Sequence, residues 1–162
     1  ADLPNSPPLD ILDIGTGVGY LPLLCQLKGH TVQATDLPTT DNTPATRCYA
    51  EMAALLGVRC FGYRIEPFTP MPGLGGRFDL ITAFAICFNG HRSPQPWGPD
   101  EWDFFIEDLR KTHVKPGARL VLSLNRDPPE DGKFYTHELL EYFKSRGATV
   151  SGRVQEVVKI RL

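Results

Sequence analysis

Leu9-Asp10-Ile11-Leu12-Asp13-Ile14-Gly15-Thr16-Gly17-Val18-Gly19-Tyr20 is an apolar run ending in three glycines at alternate positions. Apolar residues of this kind enter a buried strand, and glycines let the backbone turn sharply and approach a ligand. A carboxylate, Asp36, closes the next strand-like segment, Thr31-Val32-Gln33-Ala34-Thr35-Asp36. Together these features describe a nucleotide-cofactor site. A dinucleotide turn reads G-x-G-x-x-G, with its second glycine making room for a pyrophosphate held at a helix N-terminus. Here the third glycine arrives one residue early. Asp13, two residues before Gly15, would repel a pyrophosphate and attract a cation.

These residues resemble the class I S-adenosylmethionine-dependent methyltransferases. The first motif of that family, apolar-Asp-apolar-Gly-x-Gly-x-Gly, is matched at each position by Leu12 to Gly19. The similarity continues through Asp36, through Arg77-Phe78-Asp79-Leu80-Ile81-Thr82-Ala83-Phe84, and through Lys115-Pro116-Gly117-Ala118-Arg119-Leu120-Val121-Leu122-Ser123-Leu124. It covers nearly the whole chain, and four motifs in order are more specific than the first alone. The cofactor it implies carries an ammonium and a sulfonium, which suits an acidic strand end better than a dinucleotide does.

The resemblance implies a role for each matching residue. Gly15, Thr16, Gly17 and Gly19 would wrap the methionine moiety, with Asp13 pairing with its ammonium directly or through a water. Asp36 would accept from both ribose hydroxyls. Leu37 and Ile65 would cover the two adenine faces, and Glu66 would accept from the adenine amine. Arg64 departs from the family here, standing where Asp is frequent. Ala83 and Phe84, at the end of the fourth strand, would complete the cofactor wall.

Composition allows this reading and excludes others. At 162 residues, 41% hydrophobic and 22% charged, the chain suits one globular domain with a single core. A segment preceding the first motif, which in such enzymes often covers the cofactor, is expected to be missing from this chain. No apolar run approaches the roughly 20 residues of a membrane span. With 17 basic and 19 acidic residues the net charge is -2, so there is no global attraction for nucleic acid. Cys25, Cys48, Cys60 and Cys87 form no C-x-x-C pair and are expected to be reduced, buried thiols, which favours the cytoplasm. No metal-ligand set is read, and the oligomeric state is not legible.

Strand and helix signals alternate, as in a doubly wound α/β sheet. Strands are expected at Ile11 to Ile14, Thr31 to Thr35, Arg59 to Tyr63, Phe78 to Ala85 and Ala118 to Leu124. A hairpin across Gly152, Thr149 to Ser151 with Val154 to Ile160, would end the sheet. Helices are expected at Tyr20 to Leu27, Ala45 to Leu56, Asp100 to Thr112 and Thr136 to Arg146, with a Pro/Gly loop from Glu66 to Gly76. The family resemblance makes this a mostly parallel seven-stranded sheet of the class I methyltransferase type, its last strand antiparallel.

The reaction centre is expected beyond the fourth strand, in Ala83 to His91. His91 is a candidate base for a hydroxyl acceptor, and Asn89 a candidate to orient it. The Asn/Asp-Pro-Pro-Tyr/Phe signature of enzymes that methylate amino groups on bases is missing from this strand end, which counts against methylation of DNA adenine or cytosine; the expected acceptor is a small molecule or accessible side group. Trp102, Phe105, Ile106 and Leu109 fall at helical spacing and read as a core stripe. Trp97 is left open between a water-excluding lid and the core, and Asn125-Arg126 between the rim of the site and capping. Two classes of function remain: methyl transfer, and a non-catalytic adenosine-cofactor-binding or scaffold domain of a larger protein.

Overall fold

The computed structural model describes residues 3–41, 43–86, 88, 97–124, 137–151 and 157–162. Strands Asp10–Ile14 (β1), Thr31–Asp36 (β2), Cys60–Gly62 (β3), Phe78–Ile86 (β4), Val114–Leu124 (β5), Thr149–Ser151 (β6) and Val157–Arg161 (β7) form one sheet in the order β3-β2-β1-β4-β5-β7-β6. The first five pair in parallel, while β7 runs antiparallel to β5 and β6. The strand order reverses between β1 and β4, and such a reversal opens a crevice at the carboxyl ends of the strands.

Helices Tyr20–Leu27 (α1), Pro44–Leu55 (α2), Pro99–Asp108 (α3) and His137–Ser145 (α4) cover the two faces. The period of two along a strand explains how. Leu12, Ile14, Ile81, Ala83, Leu120 and Leu122 face one way and pack with Trp102, Phe105, Ile106 and Leu109 around α3 and with Leu139 and Phe143 of α4. Ile11, Leu80 and Val121 face the other way, with Val32 and with Cys25 of α1, while Ala34 meets Ala53 of α2. The expected stripe is therefore core, at 0 to 3% exposed. Trp97 joins it, 7% exposed, its ring 5.1 Å from Phe88 and 5.4 Å from Trp102.

Local signals explain the boundaries. The Thr43 hydroxyl accepts the Thr46 N–H at 3.1 Å, and Pro44 opens α2 with a pre-set φ and no donor to satisfy. Glu101 reaches back to the Gly98 N–H at 2.9 Å to start α3. No helix joins β3 to β4. The Pro/Gly loop instead inserts Met71 and Leu74 into the core, pinned where the Asp108 carboxylate accepts the Met71 N–H at 2.9 Å.

Three expectations are corrected. β5 begins at Val114 rather than Ala118, because Gly117 takes φ +78° and absorbs a register shift between the pairs Phe78–Val114 and Leu80–Arg119, leaving Pro116-Gly117 inside the strand. The third long helix ends at Asp108 and continues as a wider π turn, Leu109–His113, with both end residues buried. Cys48 is exposed, because α2 buries only Thr46 and Ala53 and turns its remaining surface outward, whereas Cys25 is buried and Cys60 half-buried. Cys87, Gly152 and Asn125-Arg126 lie outside the described residues.

Candidate functional site

The glycine turn leaves β1 and is tied at once to β2, the N–H groups of Gly15 and Thr16 donating to the Thr35 carbonyl at 2.8 and 3.1 Å. Its glycines have distinct reasons to lack a side chain. Gly15 takes φ +70°, and a Cβ there would overlap the Cγ2 of Ile86, from β4. Gly17, at φ +56°, has nothing within 4 Å of where a Cβ would stand and opens onto the cleft. Gly19 caps α1 at φ +86° and would press a Cβ on Val58 at 3.2 Å, so backbone and packing both constrain it.

Two acids flank this turn on adjacent strands. Asp36 Oδ2 accepts the Gly17 N–H at 2.5 Å and Oδ1 accepts the Leu37 N–H at 2.7 Å. A carboxylate oxygen has two lone pairs, so each retains one for a further donor. Asp13 is 4% exposed and accepts the Thr82 hydroxyl at 2.6 Å. Burial pushes its carboxyl above the usual carboxylate range. The Thr82 hydroxyl and then the Thr16 hydroxyl pull it back, and the neighbouring Asp36 carboxylate pushes in the same direction as burial. Cys60 sits in the same field: burial, then Asp36, then Asp13 push its thiol up to about 11. Thr16 Oγ1, inside the turn, is buried on the side of Asp13.

A cleft of about 600 Å3 follows the strand ends. Tyr63 to Pro67 line it after β3, Thr35 to Leu37 at β2, Ile14 to Val18 at the glycine turn, and Phe84 to Ile86 at β4. Phe88 and Trp97 extend the β4 end, and Tyr49 reaches in from α2. The structure thus brings Gly15, Thr16, Gly17, Asp36, Leu37, Ile65, Glu66 and Phe84 onto one wall system. Three expected residues stand off it. Asp13 lies behind the turn, Gly19 packs under α1, and Ala83 is fully buried in the α3 side of the core. His91 and Asn89 lie outside the described residues.

Sequence reasoning missed Tyr49 and Tyr63. The rule that ligands meet carboxyl ends of strands could have found Tyr63. Tyr49 carries no such signal, since a helix residue reaches the cleft only through the way α2 docks. Arg64 lies within 3.9 Å of Glu66, so the side chain that departs from the family faces the acid assigned to the adenine edge. At the other end Ala85 takes φ +55°, with pairing shifting between Phe84–Ser123 and Ile86–Leu124, a bulge of the kind that re-aims side chains beside sites.

No protein-family model matches this sequence, and no curated protein matches it. Solved structures do. The chain superposes on 1,6-didemethyltoxoflavin-N1-methyltransferase from Burkholderia thailandensis with a TM-score of 0.59 and 22% identity, over 95% of this chain and 71% of that one. It is similar to a SAM-dependent methyltransferase from Aquifex aeolicus with a TM-score of 0.58 and 23% identity, over 94% and 81%. Magnesium protoporphyrin IX methyltransferase from Synechocystis gives 0.57 and 17%, over 97% and 71%. Another neighbour is nearly twice as long, this chain spanning 53% of it. With the sheet order, the antiparallel β7 and the crevice at the strand ends, these likenesses establish that the chain has the fold of the class I S-adenosylmethionine-dependent methyltransferases.

Proposed function

We propose that the chain binds S-adenosylmethionine and transfers its methyl group to a small-molecule or accessible side-group acceptor. One observation carries the reading: Asp13 and Asp36, held at adjacent strand ends, flank a left-handed glycine turn that opens onto the cleft. The Asp36 carboxylate raises the proton affinity of the buried Asp13, and a ligand with a positive amino-acid tail relieves that repulsion. The residues fit such a ligand. Asp36 keeps a lone pair on each oxygen for the ribose hydroxyls, and Leu37 and Ile65 offer apolar surface for a flat base. Asp13 acts from behind, through the field it sets and through a water at the turn.

The bound cofactor supplies an electrophilic methyl group on a sulfonium. Held by the glycine turn, Asp36, Leu37 and Ile65, that methyl group would pass to the acceptor's lone pair, the electrons of the carbon–sulfur bond remaining on a neutral thioether. What the protein contributes is alignment and removal of one proton. The β4 end positions the acceptor beside the glycine turn. His91 takes the proton of a hydroxyl acceptor and Asn89 orients it. Small-molecule acceptors suit this site, and some structural neighbours carry names of enzymes acting on such molecules.

Calorimetry with S-adenosylhomocysteine tests the reading. Micromolar binding that Asp36→Ala removes is the expected result, and absence of binding at high micromolar ligand would overturn it. Binding without methyl consumption by any acceptor would favour the non-catalytic domain instead.

A further inference from the structure

The cleft is uneven along its length. Its charged lining residues, Asp36, Arg64 and Glu66, all belong to the ends of β2 and β3. At the β4 end the described lining is Phe84, Ala85 and Ile86, continued by Phe88 and Trp97, with no charged side chain among them. This apolar end is built rather than incidental. Ala85 is an extra residue between the pairs Phe84–Ser123 and Ile86–Leu124, in a left-handed conformation that a non-glycine residue adopts only at a cost. Beside it Phe84 stays 39% exposed at the cleft, although its chain neighbour Ala83 is fully buried.

Phe88 and Trp97 form the firm part of the same wall. They are 4% and 7% exposed, and Phe88 packs on Trp102 and Phe105 at 4.7 and 5.3 Å between ring centroids. Rings held from behind in this way keep their orientation when a ligand arrives. A charged acceptor entering this end would lose its hydration with no counter-charge in the described wall. A neutral planar ring gains burial and also ring-to-ring contact with fixed geometry, which a saturated ring of equal size does not.

We propose that the β4 end of the cleft is an acceptor subsite for a neutral, planar aromatic molecule, with Phe84 its specificity-determining wall. This rests on the methyltransferase reading above, because it takes the β2 and β3 ends to hold the cofactor.

The test is calorimetry on the full chain saturated with S-adenosylhomocysteine, titrated with 2-naphthol, its anionic analogue 2-naphthoate and its saturated analogue 2-decalol. Wild type is expected to bind 2-naphthol about tenfold more tightly than either analogue. Phe84→Leu, which keeps an apolar wall, is expected to reduce the preference over 2-decalol to below about threefold. Equal or tighter binding of 2-naphthoate or 2-decalol, no binding of any of the three, or an unchanged preference in Phe84→Leu would overturn the acceptor proposal alone. Failure of S-adenosylhomocysteine itself to bind would overturn the cofactor reading and this proposal with it.

Discussion

The Asp36 carboxylate at the end of β2 accepts the backbone N–H of Gly17 at 2.5 Å, so the acid assigned to the ribose also holds the glycine turn in shape. Its second oxygen is engaged by Leu37 N–H at 2.7 Å, which fixes the orientation of the carboxylate before any ligand arrives. Binding then needs no reorganisation of that side chain, the condition under which polar contacts contribute most.

Asp36→Ala is expected to weaken S-adenosylhomocysteine binding by more than about 100-fold, since two charge-assisted bonds are lost, and to cost about 1–3 kcal/mol of stability through the released turn. Asp36→Asn, which keeps one carbonyl acceptor, should fall between wild type and Asp36→Ala in both. Calorimetry and urea unfolding check the two effects separately.

Gly15→Ala and Gly17→Ala should separate packing from backbone strain. Both residues sit at positive φ, but only Gly15 faces Ile86. Gly17→Ala is expected to cost ~1–2 kcal/mol from backbone alone, and Gly15→Ala ~2–4 kcal/mol. Adding Ile86→Ala to Gly15→Ala should relieve the overlap and leave the backbone share, which urea midpoints would reveal as non-additivity.

Asp13→Asn should stabilise the free protein while weakening cofactor binding. A carboxyl whose folded pKa is raised contributes its full stability only when protonated, and that contribution is lost as pH rises through the folded value. At neutral pH the buried charge is therefore a cost. Asn can still accept from Thr82, so the melting temperature without ligand is expected to rise by roughly 2–5 °C at pH 7. Affinity for S-adenosylhomocysteine should fall about tenfold.

His113 predicts a pH dependence unrelated to the cleft. It is 2% exposed, and Asp108 lies 4.0 Å away. Burial lowers its pKa, Asp108 and then the Met71 backbone opposing and Arg77 assisting. The unfolded chain thus takes up this proton first as pH falls below the ordinary value of 6.5, and stability declines from there. His113→Phe should flatten that decline between about pH 6.5 and 5 in thermal unfolding, leaving the acid limb below pH 4 to the carboxylates.

Much of the architecture was readable from local patterns. Tyr20 to Leu27 has the expected bounds, because a glycine turn starts it and Gly29 at φ +87° ends it within a few residues. The three glycines and Asp36 were readable for the same reason. Ala83 marks where such reading stops. It occupies a strand end, but period two says only that Ala83 and Phe84 face opposite ways. Which of them meets the cleft depends on α3 packing against Ala83 and on the bulge at Ala85.

By itself the sequence determined the order of strands and helices, the turn after β1 and the acids beside it, since each depends on residues a few positions apart and on backbone sterics. Tertiary structure alone decided that Tyr49 joins the cleft, that Trp97 is buried with Phe88 and Trp102, and that Asp36 grips Gly17. Those contacts join segments far apart in the chain, and their geometry exists only once the helices have docked on the sheet.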